Sequence, residues 1–178
     1  NTDYWIVTHG WNNNTFNSHL LTSSGLSNSP IQSNVGVVTG GNTDNVWGCM
    51  KIAPDGSKLA ICNSLINAQL FDFDISSGVV SNPLTLHNTN GAYGVEFSPN
   101  SKLLYISVGD PSPYKIIQYD LNASNIVSSA FIAYNSNITP GSLQTGPDGK
   151  IYFAEVFQTK LGVINNPNII GTGCSVQY

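Results

Sequence analysis

Apolar positions along this chain fall in short runs, and the runs recur in a fixed phrase. Residues 48–62 read GCMKIAPDGSKLAIC, residues 94–107 read GVEFSPNSKLLYIS, and residues 142–154 read SLQTGPDGKIYFA. Each copy is an apolar run, a Pro-Asp or Pro-Asn turn, and a second apolar run. The runs are rich in Leu, Ile, Val, Tyr and Phe, which suit a pleated, partly buried strand. Proline presets φ at the second position of such a turn, Asp or Asn suits the third, and glycine supplies positive φ at the fourth. Each phrase therefore predicts a β-hairpin. Pro99-Asn100-Ser101 lacks the glycine and predicts the least ideal of the three turns. No stretch holds apolar residues at i, i+3, i+4 and i+7 for the length of a helix, so the pattern predicts almost no helix.

The spacing of the phrase carries more than its content. Pro54 and Pro99 are 99 − 54 = 45 residues apart, and Pro99 and Pro147 are 147 − 99 = 48 apart. Behind the first two hairpins come AQLFDFDISSGVVSNPLTL at 68–86 and KIIQYDLNASNIVSSAFI at 115–132, each a third strand, an Asp-bearing turn and a fourth strand. Behind the third comes KLGVINNPN at 160–168, after which the pattern fades. A four-stranded repeat of this period is the unit of a β-propeller blade. A damaged copy opens the chain: residues 4–7 match 59–62 and residues 23–30 match 76–83, with the first strand and its turn missing. The expected architecture is an all-β propeller of four-stranded antiparallel blades at 1–39, 40–87, 88–135 and 136–178. These make about three and a half to four blades of a larger, seven-bladed ring. A repeat unit cannot bury both its faces alone, so the remaining blades are expected from the same polypeptide.

Composition narrows the partners. Charged residues are 9% of the 178, there is no Arg, six Lys stand singly, and the net charge is −4. A nucleic-acid face needs clustered Lys and Arg, so no nucleic-acid partner is expected. No apolar run approaches the roughly 20 residues that span a bilayer. The abundance of uncharged Asn and Ser suits a secreted protein. Cys49 and Cys62 flank the first hairpin and would face each other across it. They read either as a cross-strand disulfide or as two small packed thiols. The repeat favours the second reading, because Gly94 and Ser107, and Ser142 and Ala154, hold the same positions.

No metal-ligand spacing, phosphate loop, GxSxG or HExxH occurs, so no cofactor, metal or catalytic residue is expected, and the chain reads as not an enzyme. Glu96 lies on a first strand and is the one candidate for a buried acid. With His9 and Asp44 it supplies the only parts of a lactonase-like cluster.

Ligand chemistry belongs on the loops. In a propeller, the loops joining strands two and three and those joining one blade to the next share a face, opposite the hairpin turns. The repeat puts residues 9–14, 63–67, 109–114 and 155–159 in the first loop set and residues 40–47, 87–93 and 134–141 in the second. The candidate ligand-binding residues are His9, Trp11, Asp44, Trp47, Tyr93, Asp110 and Glu155. Aromatics beside amides and carboxylates suit glycan or peptide recognition, through ring contacts plus hydrogen bonds. Trp5 and Trp47 lie at or beside strands and read as wedges between blades. Trp11, in an Asn-rich loop, is the best candidate for an exposed aromatic. His9 reads as a loop hydrogen-bonding group. Asp74 and Asp120 read as turn residues that bind backbone N–H groups.

The tracts DYWIVTHGW at 3–11, FNSHLLTSSG at 16–25, LFDFDISSGVVSNPL at 70–84, GAYGVEFSPNSKLLYIS at 91–107 and GPDGKIYFAEV…LGVINNPN within 146–168 resemble one family. It is the β-propeller region of large Bacteroidota surface proteins, which often carry PKD modules and a type IX secretion signal and are described as gliding-motility-associated. The resemblance covers nearly the whole chain. Asn100-Ser101, Cys49 and Cys62 depart from the family pattern. The resemblance implies a non-enzymatic recognition or adhesion module of a secreted cell-surface protein, with a surface glycan or protein as ligand and the secretion machinery as partner during export. The alternatives are a structural spacer and a lactonase-like enzyme.

Overall fold

A computed structural model describes residues 3–88, 90–110 and 112–178. The chain builds four antiparallel sheets in sequence order. The first holds β1 (Tyr4–His9), β2 (Asn13–Thr22), the short β3 (Gly25–Leu26) and β4 (Ile31–Thr39), with β3 and β4 both on β2. The second holds β5 (Met50–Ile52), β6 (Lys58–Asn63), β7 (Asn67–Asp74) and β8 (Val79–His87) in simple up-and-down order. The third holds β9 (Ala92–Phe97), β10 (Leu103–Val108), β11 (Tyr114–Asp120) and β12 (Phe131–Ser136). The fourth holds β13 (Pro140–Thr145), β14 (Ile151–Glu155), β15 (Leu161–Ile164) and β16 (Val176–Gln177). Helix among the described residues is confined to 3-10 turns at Thr43–Val46, Val127–Ser129 and Gly171–Cys174.

Alternation along each strand explains how the sheets stack, since successive side chains point to opposite faces. On β6, Leu59 and Ile61 face the first sheet and pack with Phe16, while Ala60 and Cys62 face the third. On β10, Leu104 and Ile106 face the second sheet, while Leu103 and Tyr105 face the fourth and its Leu143 and Phe153. The core is therefore three inter-sheet layers rather than one centre. The faces at the two ends of the stack are more open: Tyr4 and Ile6 on β1 are exposed, as is Ala154 on β14.

The hairpin turns follow their sequence. Gly56 N donates to Ala53 O at 2.8 Å, Ser101 N to Ser98 O at 2.8 Å, and Gly149 N to Gly146 O at 3.0 Å. Gly56 and Gly149 both take φ +75, and Ser101 takes φ +59 in the place that glycine holds elsewhere. Ser101 is kept by a second role, because its Oγ accepts Asp55 N of the neighbouring turn at 3.1 Å. One difference escaped the repeat comparison. The ladder closes with Ala53 N to Lys58 O and Ser98 N to Leu103 O, but with Gly146 N to Lys150 O, so the last turn is a residue shorter. That shift turns Ile151 and Phe153 toward the third sheet and leaves Tyr152 on the open side.

Cys62 N donates to Cys49 O at 2.9 Å, so the two cysteines do sit opposite each other, yet all three cysteines are free. Their sulfurs turn to different partners, Cys49 Sγ to Ser142 Oγ and Cys62 Sγ to Gly94 O, both at 3.6 Å. Trp5 wedges as expected: its ring meets Phe73 edge-on at 6.4 Å and its Nε1 donates to Ile75 O at 2.8 Å. Trp47 does not wedge. It follows the 3-10 turn of residues 43–46, which carries the ring away from the sheets and leaves it 58% exposed. Asp74 ties its turn by accepting Ser76 N, Ser76 Oγ and Ser77 Oγ, which holds its carboxyl down to about 2.

Candidate functional site

Both loop sets share one face, and the backbone itself joins them. Trp47 O accepts Ser64 N at 2.8 Å, Ser64 O accepts Gly91 N at 2.5 Å, and Gly91 O accepts Gly109 N at 2.8 Å. Thr139 O accepts Val156 N at 3.0 Å in the same manner. Main-chain hydrogen bonds thereby tie these loops to one another.

Between these loops lies a cavity of about 380 Å³ reaching across the second, third and fourth sheets. Tyr93 and Asp110 line it, with Ser64, Thr139, Ser142 and Val156. Gly91, Gly109 and Gly141 form part of its wall. A Cβ on Gly91 would strike the Asp110 backbone and one on Gly109 would strike the Thr139 methyl, so the bare backbone there is a packing requirement. Tyr93 stands at 38% exposure, and Asp110 is exposed. The site thus offers an aromatic ring, a carboxylate, hydroxyls and an apolar floor, the make-up of a pocket that holds a polar ligand with an apolar body.

The remaining expected residues fall elsewhere. His9 and Trp11 line a second cavity of about 240 Å³ between the first two sheets, with Cys49, Met50 and Asn63. His9 Nδ1 donates to Gly10 O at 2.9 Å and its ring packs edge-on against Phe16 at 4.6 Å. Burial holds its imidazole below the usual range, partly offset by the Gly10 carbonyl. Trp11 is 48% exposed. Asp44 belongs to the 3-10 turn, where its N–H is capped by Asn42 Oδ1 at 3.1 Å. Glu155 is buried, accepts the Tyr134 hydroxyl at 3.0 Å, and sits between Ala154 and Val156 of the first cavity without lining it. Two of the expected loop segments, 87–93 and 109–114, include residues 89 and 111, which lie outside the described residues.

Glu96 is buried at 7% exposure, and its partners are committed. Oε2 meets Lys51 Nζ at 3.2 Å and accepts Thr145 N at 3.0 Å, while Oε1 accepts Phe97 N at 3.1 Å. Lys51 Nζ also donates to Gln144 Oε1 at 2.7 Å. Glu96 thus binds three inner strands together, and it shares no partner with His9 or Asp44. Among the described residues, no three His, Cys, Asp or Glu side chains gather in a way that would hold a metal ion.

Sequence reasoning placed Ser64, Thr139 and Val156 in loops of this face without naming them and left Ser142 outside those loops; sheet stacking brings the four together. Phe157 lay within the expected loop 155–159 but was not singled out. That residue is 99% exposed and takes φ +60, beside Val156 at the edge of the cavity. A bulky residue at positive φ is uncommon, and a fully exposed phenylalanine adds to the cost. A repeat comparison for an aromatic in a strand-two to strand-three loop would have flagged it.

No family model matches this sequence, and no curated protein sequence matches it. The fold does have relatives of known structure. It is similar to a provisionally named 6-phosphogluconolactonase from Bacteroides uniformis (TM-score 0.59, 17% identity, 89% of this chain and 46% of that one). It is also similar to the periplasmic gluconolactonase of Pseudomonas aeruginosa (TM-score 0.59, 12% identity, 91% of this chain and 50% of that one). A third is TolB from Acinetobacter baumannii (TM-score 0.53, 16% identity, 90% of this chain and 38% of that one). The chain is a partial β-propeller, spanning half or less of the length of each of these three. The expectation that it is not an enzyme is corrected by the same comparison. Proteins named as lactonases stand on this architecture, so the absence of a catalytic motif gives no ground for excluding catalysis.

Proposed function

We propose that this propeller segment is a recognition element whose ligand, a glycan or a peptide segment of a protein, seats in the loop-face cavity between Tyr93 and Asp110. The observation that carries the reading is the cavity itself. It is about 380 Å³ and combines an open aromatic ring, a carboxylate and hydroxyls with a wall of bare backbone. Sugar rings present apolar C–H faces to an aromatic and hydroxyls to a carboxylate, and a peptide uses the same groups. Leu65 lines the cavity and is exposed, and Trp47 and Phe157 stand exposed on neighbouring loops of the same face, apolar surface that solvation alone does not favour. The sequence resemblance and the polar, weakly charged composition support display of this face on a secreted, cell-surface protein.

Glycan-array and peptide-array binding with the intact chain tests the reading. Tyr93→Ala is expected to weaken any bound ligand about tenfold, the loss of one aromatic anchor. Asp110→Asn is expected to weaken it by a smaller factor. Binding that survives both changes at full strength would place the ligand elsewhere.

A further inference from the structure

The polar groups around the loop-face cavity are unequally free. Ser64 uses its N–H on Trp47 O and its carbonyl on Gly91 N, Gly91 uses its carbonyl on Gly109 N, and Thr139 uses its carbonyl on Val156 N. Gly141 O accepts the Ser107 hydroxyl at 2.8 Å. Much of the wall's main chain is thus committed within the fold. A sugar ring carries hydroxyls around most of its edge, and each one buried needs a partner; this wall leaves few. What stays open is acidic and aromatic. The Asp110 carboxylate is exposed at the cavity and makes no ion pair among the described residues. Glu155, buried between the lining residues Ala154 and Val156, adds a second carboxylate, bonded to the neutral Tyr134 hydroxyl. No Lys or His lines the cavity, and Lys115 and Lys160 follow the loops of this face without reaching it. The Tyr93 ring stands open there, and Leu65, Pro140 and Val156 supply apolar wall. At about 380 Å³ the space is near the small end of ligand pockets, room for one side chain rather than a run of residues.

We propose that the cavity takes an ammonium group on an apolar stem: a lysine side chain presented by a peptide segment of a partner protein. This rests on the recognition role proposed above for the same cavity and names its ligand. The ammonium is a pure donor, matched to Asp110 and to the Ser64 and Thr139 hydroxyls. Its charge answers two carboxylates that no cation of the chain neutralises among the described residues. The Tyr93 ring adds attraction through its negative face, and the methylene stem lies along the apolar wall while the charged head stays at the wet end.

The test titrates the intact chain with three blocked peptides, each of glycine around one central residue: lysine, norleucine or Nε-acetyl-lysine. Amide NMR reads both the affinity and the place. The lysine peptide is expected to give saturable shifts at Gly91, Gly109 and Asp110. It is expected to bind about fivefold more tightly than either neutral peptide, the scale of one exposed ion pair with a ring contact. Asp110→Asn is expected to remove that advantage, and added salt is expected to weaken the lysine peptide alone. The proposal is overturned if a neutral peptide binds as tightly as lysine, or if the advantage survives Asp110→Asn. Tighter binding of glucosamine, which carries its ammonium on a sugar ring, overturns it as well. A neutral glycan that shifts these amides where the lysine peptide does not would overturn the lysine assignment and leave the recognition role standing. Absence of shifts at these amides with every probe and every array ligand removes both.

Discussion

Phe157 breaks two rules at once. A non-glycine residue in the left-handed region costs roughly 1–2 kcal/mol relative to the right-handed one, and this ring is almost wholly in water. Part of that cost is offset locally, because Phe157 holds the third position of a turn closed by Gln158 N donating to Glu155 O at 3.1 Å. Phe157→Asn is expected to raise stability by about 0.5–1 kcal/mol in chemical denaturation, since Asn tolerates positive φ. The same change is expected to weaken ligand capture at the Tyr93 cavity. Ser101 shows the opposite balance. It holds positive φ as well, but its hydroxyl accepts the neighbouring Asp55 N–H, so its strain is offset within the fold. The sequence marked Ser101, because a repeat places glycine there, and passed over Phe157, because exposure is not written in a run of letters.

Strands and turns were the legible part. Alternation and the Pro-Asp phrase are local, so β5 to β7, β9 to β11 and β13 to β15 could be placed from their own residues. The inner edges were less legible, because they depend on how closely neighbouring sheets approach. Gly94 is the clearest case: its α-carbon faces Gly141 O of β13, and no neighbouring residue in sequence announces it. Gly94→Ala is expected to cost about 1–3 kcal/mol, read as a lower denaturation midpoint, because the obstacle is backbone and cannot turn aside. A substitution to Ala at Gly149, which meets nothing within 4 Å but has φ +75, would act only through its conformation. The shortened last turn belongs to the same scale. One residue fewer between Pro147 and the strand exchanged the faces of Ile151 and Tyr152, and a proline-to-proline comparison does not count that residue.

For the molecule as a whole, the stack is held at its inner margin by a small polar junction. Lys51, Glu96, Gln144 and the Thr145 N–H come from three different sheets. Glu96→Ala is expected to destabilise by about 1–3 kcal/mol, since it removes the carboxylate beside Lys51 and leaves the Thr145 and Phe97 amides without their acceptor, which in a chain of 178 residues lowers Tm by several degrees. Calorimetry checks it, and Glu96→Gln should recover part of the loss by keeping the Thr145 bond. The candidate site was only half legible at this scale. Tyr93 and Asp110 could be listed from their loops, but Ser64, Thr139 and Ser142 reach the cavity through the stacking of three sheets, and Glu155 accepts the Tyr134 hydroxyl without lining it.

The main-chain ladder across the loop face also divides the molecule into two kinds of surface. On one side, Trp47, Ser64, Gly91 and Gly109 are sewn peptide to peptide, so any insertion there breaks a bond in the next segment. On the other, the hairpin turns touch through side chains such as Ser101 and Asn168, and their length already varies by a residue within this one chain. The turn side is therefore open to editing. Grafted loops, tags or whole modules belong at residues 147–149, where a change in length is absorbed locally, while the loop face is closed to them.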